Sequence, residues 1–192
     1  MINVVIFGAP GSGKGTQSAF MIEHYGLYHI STGDVLRDHI SRKTELGEIA
    51  RSYIDKGNLI PDDLMIDILA SVIDEHRSDA SKGFIFDGFP RTIAQAEALE
   101  KLLADRGMRL NCVVGLDVPD EILIERLVNR GKESGRSDDN PETIRDRIAL
   151  YYKVTSPLKD YYCRRGLFHS VKGWGDIDLI TAGVWKIIDD SK

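Results

Sequence analysis

The sequence has only two cysteines in 192 residues, Cys112 and Cys163, too few for a disulfide framework or a zinc site. Two such thiols suit a reducing, cytosolic compartment. No apolar run approaches the length of a membrane span. The start, Met1-Ile2-Asn3-Val4, has no basic segment ahead of its apolar run and reads as a strand, not a secretory leader. Positive charge is short as well: 25 Lys and Arg stand against 30 Asp and Glu, giving a net charge of −5 and a pI near 5.5. Nonspecific nucleic-acid binding, which relies on an electropositive surface, is therefore disfavoured, and any anion site must be local. The five histidines, His24, His29, His39, His76 and His169, lack metal-ligand spacing and read as surface or satisfied side chains. No nucleophile built on His or Cys is visible, and no tract is of low complexity.

What is present is ordinary for one main globular domain: 42% hydrophobic residues, 29% charged, and Gly 18. The exception is Gly8-Ala9-Pro10-Gly11-Ser12-Gly13-Lys14-Gly15-Thr16-Gln17, directly after the apolar run Ile2-Asn3-Val4-Val5-Ile6-Phe7. A strand that ends in a glycine-rich loop and opens a helix aims several backbone N–H groups at one spot, where the helix dipole adds its field. Lys14 supplies a mobile charge for outer phosphates, so polyphosphate is the expected guest. Gly15 intervenes before Thr16 where the general pattern has Ser or Thr, so a direct Thr16 bond to magnesium is not assumed.

Short β-branched runs alternate with helical patterns along the rest of the chain, as in a parallel α/β sheet. Strands are predicted at 2–7, 28–30, 83–87, 111–117 and 167–171. Helices fit 14–25, 34–43, 45–56, 61–76, 92–106, 120–131, 141–163 and 177–189, with Pro61 and Pro141 each at a first helical position. Residues 31–60 hold two helices and no strand, which suggests an insert at the edge of the sheet. Residues 130–139 are charged, bear glycine and are nearly free of apolar groups, so they read as surface loop.

Asp87 closes the run Phe84-Ile85-Phe86 at the carboxyl end of a strand, the place of a Walker-B carboxylate that holds magnesium directly or through water. The acids of Ser71-Val72-Ile73-Asp74-Glu75 follow a helical spacing instead and belong to a solvated face. Arg37, Arg91, Arg126, Arg130, Arg136 and Arg147 fall near element ends or beside 130–139, and suit a transferring phosphoryl group because guanidinium binds phosphate bidentately. Transfer between two phosphates needs no protein nucleophile, only positioning and charge neutralisation. Its hazard is water, and a closing segment at 130–139 answers that hazard.

These motifs, with Ser31-Thr32-Gly33-Asp34-Val35-Leu36-Arg37, Asp87-Gly88-Phe89-Pro90-Arg91-Thr92, Glu125-Arg126-Leu127-Val128-Asn129-Arg130 and Ser134-Gly135-Arg136-Ser137-Asp138-Asp139-Asn140, resemble the adenylate kinases of short-lid type over essentially the whole chain. The resemblance implies a P-loop NTPase-like α/β fold in three layers with a five-stranded parallel sheet. It divides the chain into core at 1–30, 61–129 and 140–192, a helical monophosphate-binding insert at 31–60 and a lid at 130–139. It also implies the reaction ATP + AMP ⇌ 2 ADP with Mg2+ and without zinc, carried out by a cytoplasmic monomer whose partners are nucleotides, not nucleic acid or membrane.

By the same resemblance ATP meets Gly11, Ser12, Gly13, Lys14, Gly15, Thr16, Arg126, Arg130 and, through backbone, Gly175. AMP meets Thr32, Arg37, Asn58, Leu59, Ile60, Gly88, Phe89, Pro90, Arg91, Gln95, Arg136 and Arg147. The implied catalytic set is Lys14, Arg91, Arg126, Arg130, Arg136 and Arg147, with Asp87 at the metal. Two alternatives stand beside this reading. A P-loop nucleotide switch would carry an Asn/Thr-Lys-x-Asp motif, which does not occur. A UMP/CMP kinase would typically have alanine where Thr32 stands, while the Gln95 amide offers the donor and acceptor that adenine needs.

Overall fold

The computed structural model describes all 192 residues. Five strands, β1 (Val4–Phe7), β2 (Tyr28–Ser31), β3 (Phe84–Asp87), β4 (Cys112–Asp117) and β5 (Phe168–Lys172), form one sheet in the order β2-β3-β1-β4-β5. Every pairing is parallel: Val5 of β1 lies opposite Phe86 on one side and Val113 on the other. Strands buried on both faces need no apolar–polar alternation, which is why β1 and β3 read as continuous hydrophobic runs.

The helices are α1 (Lys14–Tyr25), α2 (Thr32–Ser41), α3 (Glu45–Ile54), α4 (Asp62–Glu75), α5 (Ile93–Ala104), α6 (Asp120–Ser134), α7 (Pro141–Leu150), α8 (Leu158–Cys163) and α9 (Ile177–Asp190). Residues of β1 alternate between two cores. Val5 and Phe7 join Leu69 of α4, Leu99 of α5 and Tyr162 of α8, while Val4 and Ile6 join Met21 of α1 and Val184 of α9. A third cluster packs Ala9 of the glycine-rich loop against Leu123 and Leu127 of α6 and Ile148 of α7. No helix is long and apolar enough to cross a membrane.

Three helix boundaries depart from the sequence pattern. The continuous helix predicted over 141–163 is broken. After α7 the chain makes a π-helical turn, Tyr151–Thr155, in which the Ser156 N–H reaches back to the Tyr151 carbonyl at 2.8 Å, and Pro157 then precedes α8. A proline ring clashes with the carbonyl four residues back and has no N–H to give, so an α-helix cannot pass through it undisturbed. Pro61 caps α4 from outside where it was predicted at the first helical position, whereas Pro141 does begin α7. Finally, α6 runs on to Ser134 and ends at Gly135, whose φ of 63° places it in the left-handed region that suits glycine at a helix end. Half of 130–139 is therefore helix, not loop.

Candidate active site

The carboxyl end of β1 delivers the chain into the glycine-rich loop at the middle of the sheet, where open parallel sheets leave a crevice. Gly13 caps α1 with φ 95° and no side-chain hydrogen bond, which leaves the first N–H groups of α1 without a side-chain acceptor. Gly11 has φ 83°, and a Cβ there would lie 2.9 Å from the Leu123 carbonyl oxygen, so the loop sits directly on α6. Lys14 bends back, its Nζ donating to the carbonyls of Gly8 at 2.9 Å and Ala9 at 3.0 Å. Burial lowers its pKa to about 8, against the opposing pull of Asp87. The Ser12 hydroxyl is buried without a hydrogen-bond partner, an unfilled polar position inside the cradle.

The loop forms one wall of a cavity of about 660 Å³. Asp87, at the end of β3, lines the same cavity. Burial pushes its carboxyl up, but His29, Lys14 and Arg91 together outweigh that and hold it below the ordinary carboxylate range. His29 on β2 puts Nε2 3.5 Å from Asp87 Oδ2. The reading of all five histidines as surface or satisfied side chains is thus corrected for His29: it lines the cavity, and Nε2 is buried without a hydrogen bond. The parallel register pairs His29 with Ile85 and Ser31 with Asp87, and no sequence spacing signals that proximity.

The arginines converge from three helices and two connecting segments. Arg126 on α6 donates to the carbonyls of Gly173 at 3.2 Å, Gly11 at 3.4 Å and Ser12 at 3.4 Å. One turn further, Arg130 forms two bonds to Asp139, Nε–Oδ2 at 2.6 Å and Nη2–Oδ1 at 2.8 Å. Arg147 of α7 shares that carboxylate at 2.7 Å and reaches Asp138 Oδ2 at 2.9 Å. Arg91 donates Nε to the Gly88 carbonyl at 2.7 Å, and burial, then the nearby Arg147 charge, lower its pKa to about 10. Asp34 of α2 pairs with Arg37 and stands 3.9 Å from Arg136. Ser137 donates to Asp55 at 2.8 Å, so the segment after α6 touches both α2 and the end of α3.

A smaller recess of about 70 Å³ adjoins the main cavity and is lined by Thr32, Asn58, Leu59, Ile60 and Gln95. Thr32 and Gln95 are buried. Gln95 already makes two side-chain hydrogen bonds, accepting from the Arg91 N–H at 2.7 Å and donating to Asp62 at 2.7 Å. The Asn58 N–H is taken by the Tyr53 carbonyl at 3.0 Å, so it is not free for a guest. Arg37, Gly88, Phe89, Arg91 and Arg147 border both spaces, while Pro90, Arg136 and Gly175 line the larger one alone.

Every residue picked out from sequence therefore faces one space or the other. The pattern missed the acids that hold the arginines: Asp34, Asp138 and Asp139 were visible within the motifs but carried no signal of their pairing. It also missed Asp62, whose link to Gln95 spans 33 residues.

Known proteins match this chain over most of its length. The adenylate kinase family model matches residues 6–167. The chain is similar to the adenylate kinase of Phocaeicola vulgatus, with 56% identity covering 98% of this chain and 99% of that one. It is 57% identical to that of Bacteroides fragilis over the same shares, and 54% identical to that of Parabacteroides distasonis over the full length of both.

Proposed function

Since the chain belongs to the adenylate kinase family, we propose the following division of labour for the transfer of the terminal phosphoryl group of ATP to AMP, which gives two ADP. An AMP phosphate oxygen attacks the γ-phosphorus while the bond from that phosphorus to the β–γ bridging oxygen breaks. The attacking oxygen is already ionised, so no general base is required. The carrying observation is that Lys14, Arg91, Arg130, Arg136 and Arg147 all face one cavity, with the glycine-rich loop at one end and the recess of Thr32 and Gln95 at the other.

ATP phosphates occupy the cradle of Gly11 to Thr16, with Ser12 and Lys14 as donors and Arg126, which lines the same cavity, bracing the loop. Lys14 leaves the Gly8 and Ala9 carbonyls for phosphate oxygens. The AMP phosphate lies between Arg37 and Arg91, and its base enters the recess, where the Gln95 amide retains one hydrogen and one lone pair. Arg130, Arg136 and Arg147 meet the charge that spreads over the transferring group, which preorganised cations stabilise without reorganisation. The donor set suits Mg2+: Asp87 offers a carboxylate beside the cradle, as fits an ion bound through one carboxylate, phosphates and water. Bound there, magnesium would neutralise phosphate charge.

Residues 31–60 act as the monophosphate-binding insert and 130–139 as the lid, with Arg136 and Ser137 as its contacts to the insert. The proposed site calls on no group from a second copy, and the protein is read as a monomer; two unpaired thiols suit a cytosolic setting. The test is ADP formation from ATP with AMP, CMP or UMP as acceptor. AMP is expected to lead by about two orders of magnitude in kcat/KM. Comparable rates with CMP would overturn the reading.

A further inference from the structure

A glutamine side chain is a poor discriminator of purines when it is free to turn. Its oxygen accepts and its nitrogen donates, so in one orientation it matches the 6-amino group and N1 of adenine. Turned over, the same amide matches the 6-oxo group and protonated N1 of hypoxanthine or guanine. The two edges differ only in which atom gives and which takes. Something other than Gln95 must therefore decide which way the amide faces.

In this structure two neighbours decide it. The backbone N–H of Arg91 can only donate, and it stands 2.7 Å from Gln95 Oε1. The carboxylate of Asp62 can only accept, and its Oδ1 stands 2.7 Å from Gln95 Nε2. Turning the amide over would set N–H against N–H at one contact and oxygen against oxygen at the other. Gln95 is 2% exposed, so water cannot repair either loss. Asp62 is itself fixed: its Oδ2 accepts from the Thr92 hydroxyl at 2.8 Å, and that hydroxyl accepts from the Gln95 backbone N–H at 3.1 Å. The starts of α4 and α5 are thereby tied together around one amide.

We propose that Asp62 is a positioning residue for base selection, locking the Gln95 amide in the orientation that takes a 6-aminopurine monophosphate and refuses a 6-oxopurine one. The inference rests on the reading of Gln95 as the adenine contact. Arg37 and Arg91 fix the phosphate end of the acceptor, so the purine edge has no freedom to slide and compensate. Asp62 touches no substrate and acts only through Gln95.

The experiment compares AMP with IMP, which differs from AMP only at the 6-position and N1, as acceptors for Asp62→Asn. An amide at position 62 can present either oxygen or nitrogen to Gln95, which removes one of the two constraints and leaves only the Arg91 N–H to hold the orientation. The AMP-to-IMP ratio of kcat/KM is expected to fall by about tenfold through the acceptor KM, with the KM for ATP unchanged. If Asp62 is merely a strut between α4 and α5, the melting temperature drops, both acceptors suffer alike and the ratio stays put, which overturns the proposal. Should Asp62→Asn not fold, Asp62→Ser is measured in the same way, since serine keeps a polar helix start but is too short to hold the amide.

Gln95→Leu separates this inference from the reading beneath it. A ratio that collapses in Gln95→Leu but survives in the Asp62 variants removes the positioning role alone. A ratio untouched by Gln95→Leu removes Gln95 as the base contact, and the proposal with it.

Discussion

Asp139 grips Arg130 edge-on through both carboxylate oxygens, at 2.6 and 2.8 Å, with its own side chain fully buried. Arg147 leans on one of the same oxygens at 2.7 Å, so a single carboxylate sets the spacing of two guanidinium groups that face the cavity. Removing the carboxylate leaves a guanidinium that is 34% exposed and partly compensated by solvent, so the cost is about 1–2 kcal/mol. Asp139→Asn should therefore lower the denaturation midpoint and also slow turnover. Burial raises the Asp139 carboxyl, but Arg130 and Arg147 more than offset this and leave it below its ordinary value. Its stabilisation is thus complete above the unfolded value of about 3.9 and lost as pH falls through the lower folded value. The stability gap between wild type and variant should hold from neutrality down to about pH 4 and narrow below that; a gap that stays constant below about pH 4 refutes the pairing.

Lys14 must be charged to hold phosphate, yet burial in the empty site lowers its pKa to about 8. ATP affinity should accordingly weaken above about pH 8, whereas saturated turnover, with phosphate already on Lys14, should hold to higher pH. Titrations of ATP binding and of turnover between about pH 6 and about pH 9.5 compare the two. For stability the sign is opposite to that of a lysine gaining a partner. Below about pH 8 the folded protein carries a buried charge, and the resulting penalty is relieved as pH rises from there towards the unfolded lysine value. Lys14→Met should melt no lower than the wild type below about pH 8, since it removes that penalty, and lose roughly two to three orders of magnitude in turnover.

Arg136 stands on the segment beyond α6 and meets Asp34 at 3.9 Å across the cavity mouth. Arg136→Ala is expected to cut turnover by at least about tenfold while changing equilibrium ATP affinity by less than about twofold, because its stabilisation falls on the transition state. Equal losses in affinity and turnover would contradict that role.

Gly88 has φ 78°, and a Cβ there would lie 2.8 Å from the Thr32 hydroxyl and 3.2 Å from Arg91 Nη2. Gly88→Ala should cost about 1–2 kcal/mol in backbone strain and push Arg91 out of place. The KM for AMP should rise well beyond that for ATP; parallel changes in both would show that Gly88 does not shape the acceptor side.

The individual strands and the glycine-rich loop can be read from the chain because each is local: β1, Gly8 to Lys14 and α1 are one uninterrupted stretch. The break at Pro157 is equally local, although Leu150 and Leu158 keep a helical spacing across it. Partnerships set by register or by packing between helices were not legible. His29 meets Asp87 only because β2 lies beside β3, and Asp62 meets Gln95 only because α4 and α5 start side by side. Charge alone also misled at 130–139. A polar segment was expected to stay in solvent, but Asp138 and Asp139 are buried because arginines accompany them.

The strand order also sets a timetable for the nascent chain. β1, the first strand to leave the ribosome, belongs at the centre of the sheet and pairs only with β3 and β4. β2 pairs only with β3 and must wait as well. Until Phe84 emerges, the glycine-rich loop therefore has no sheet to stand on. Completion then proceeds outward on the other side through β4 and β5, and Arg126 gains its Gly173 carbonyl last. The first motif to be translated is thus one of the last to be braced.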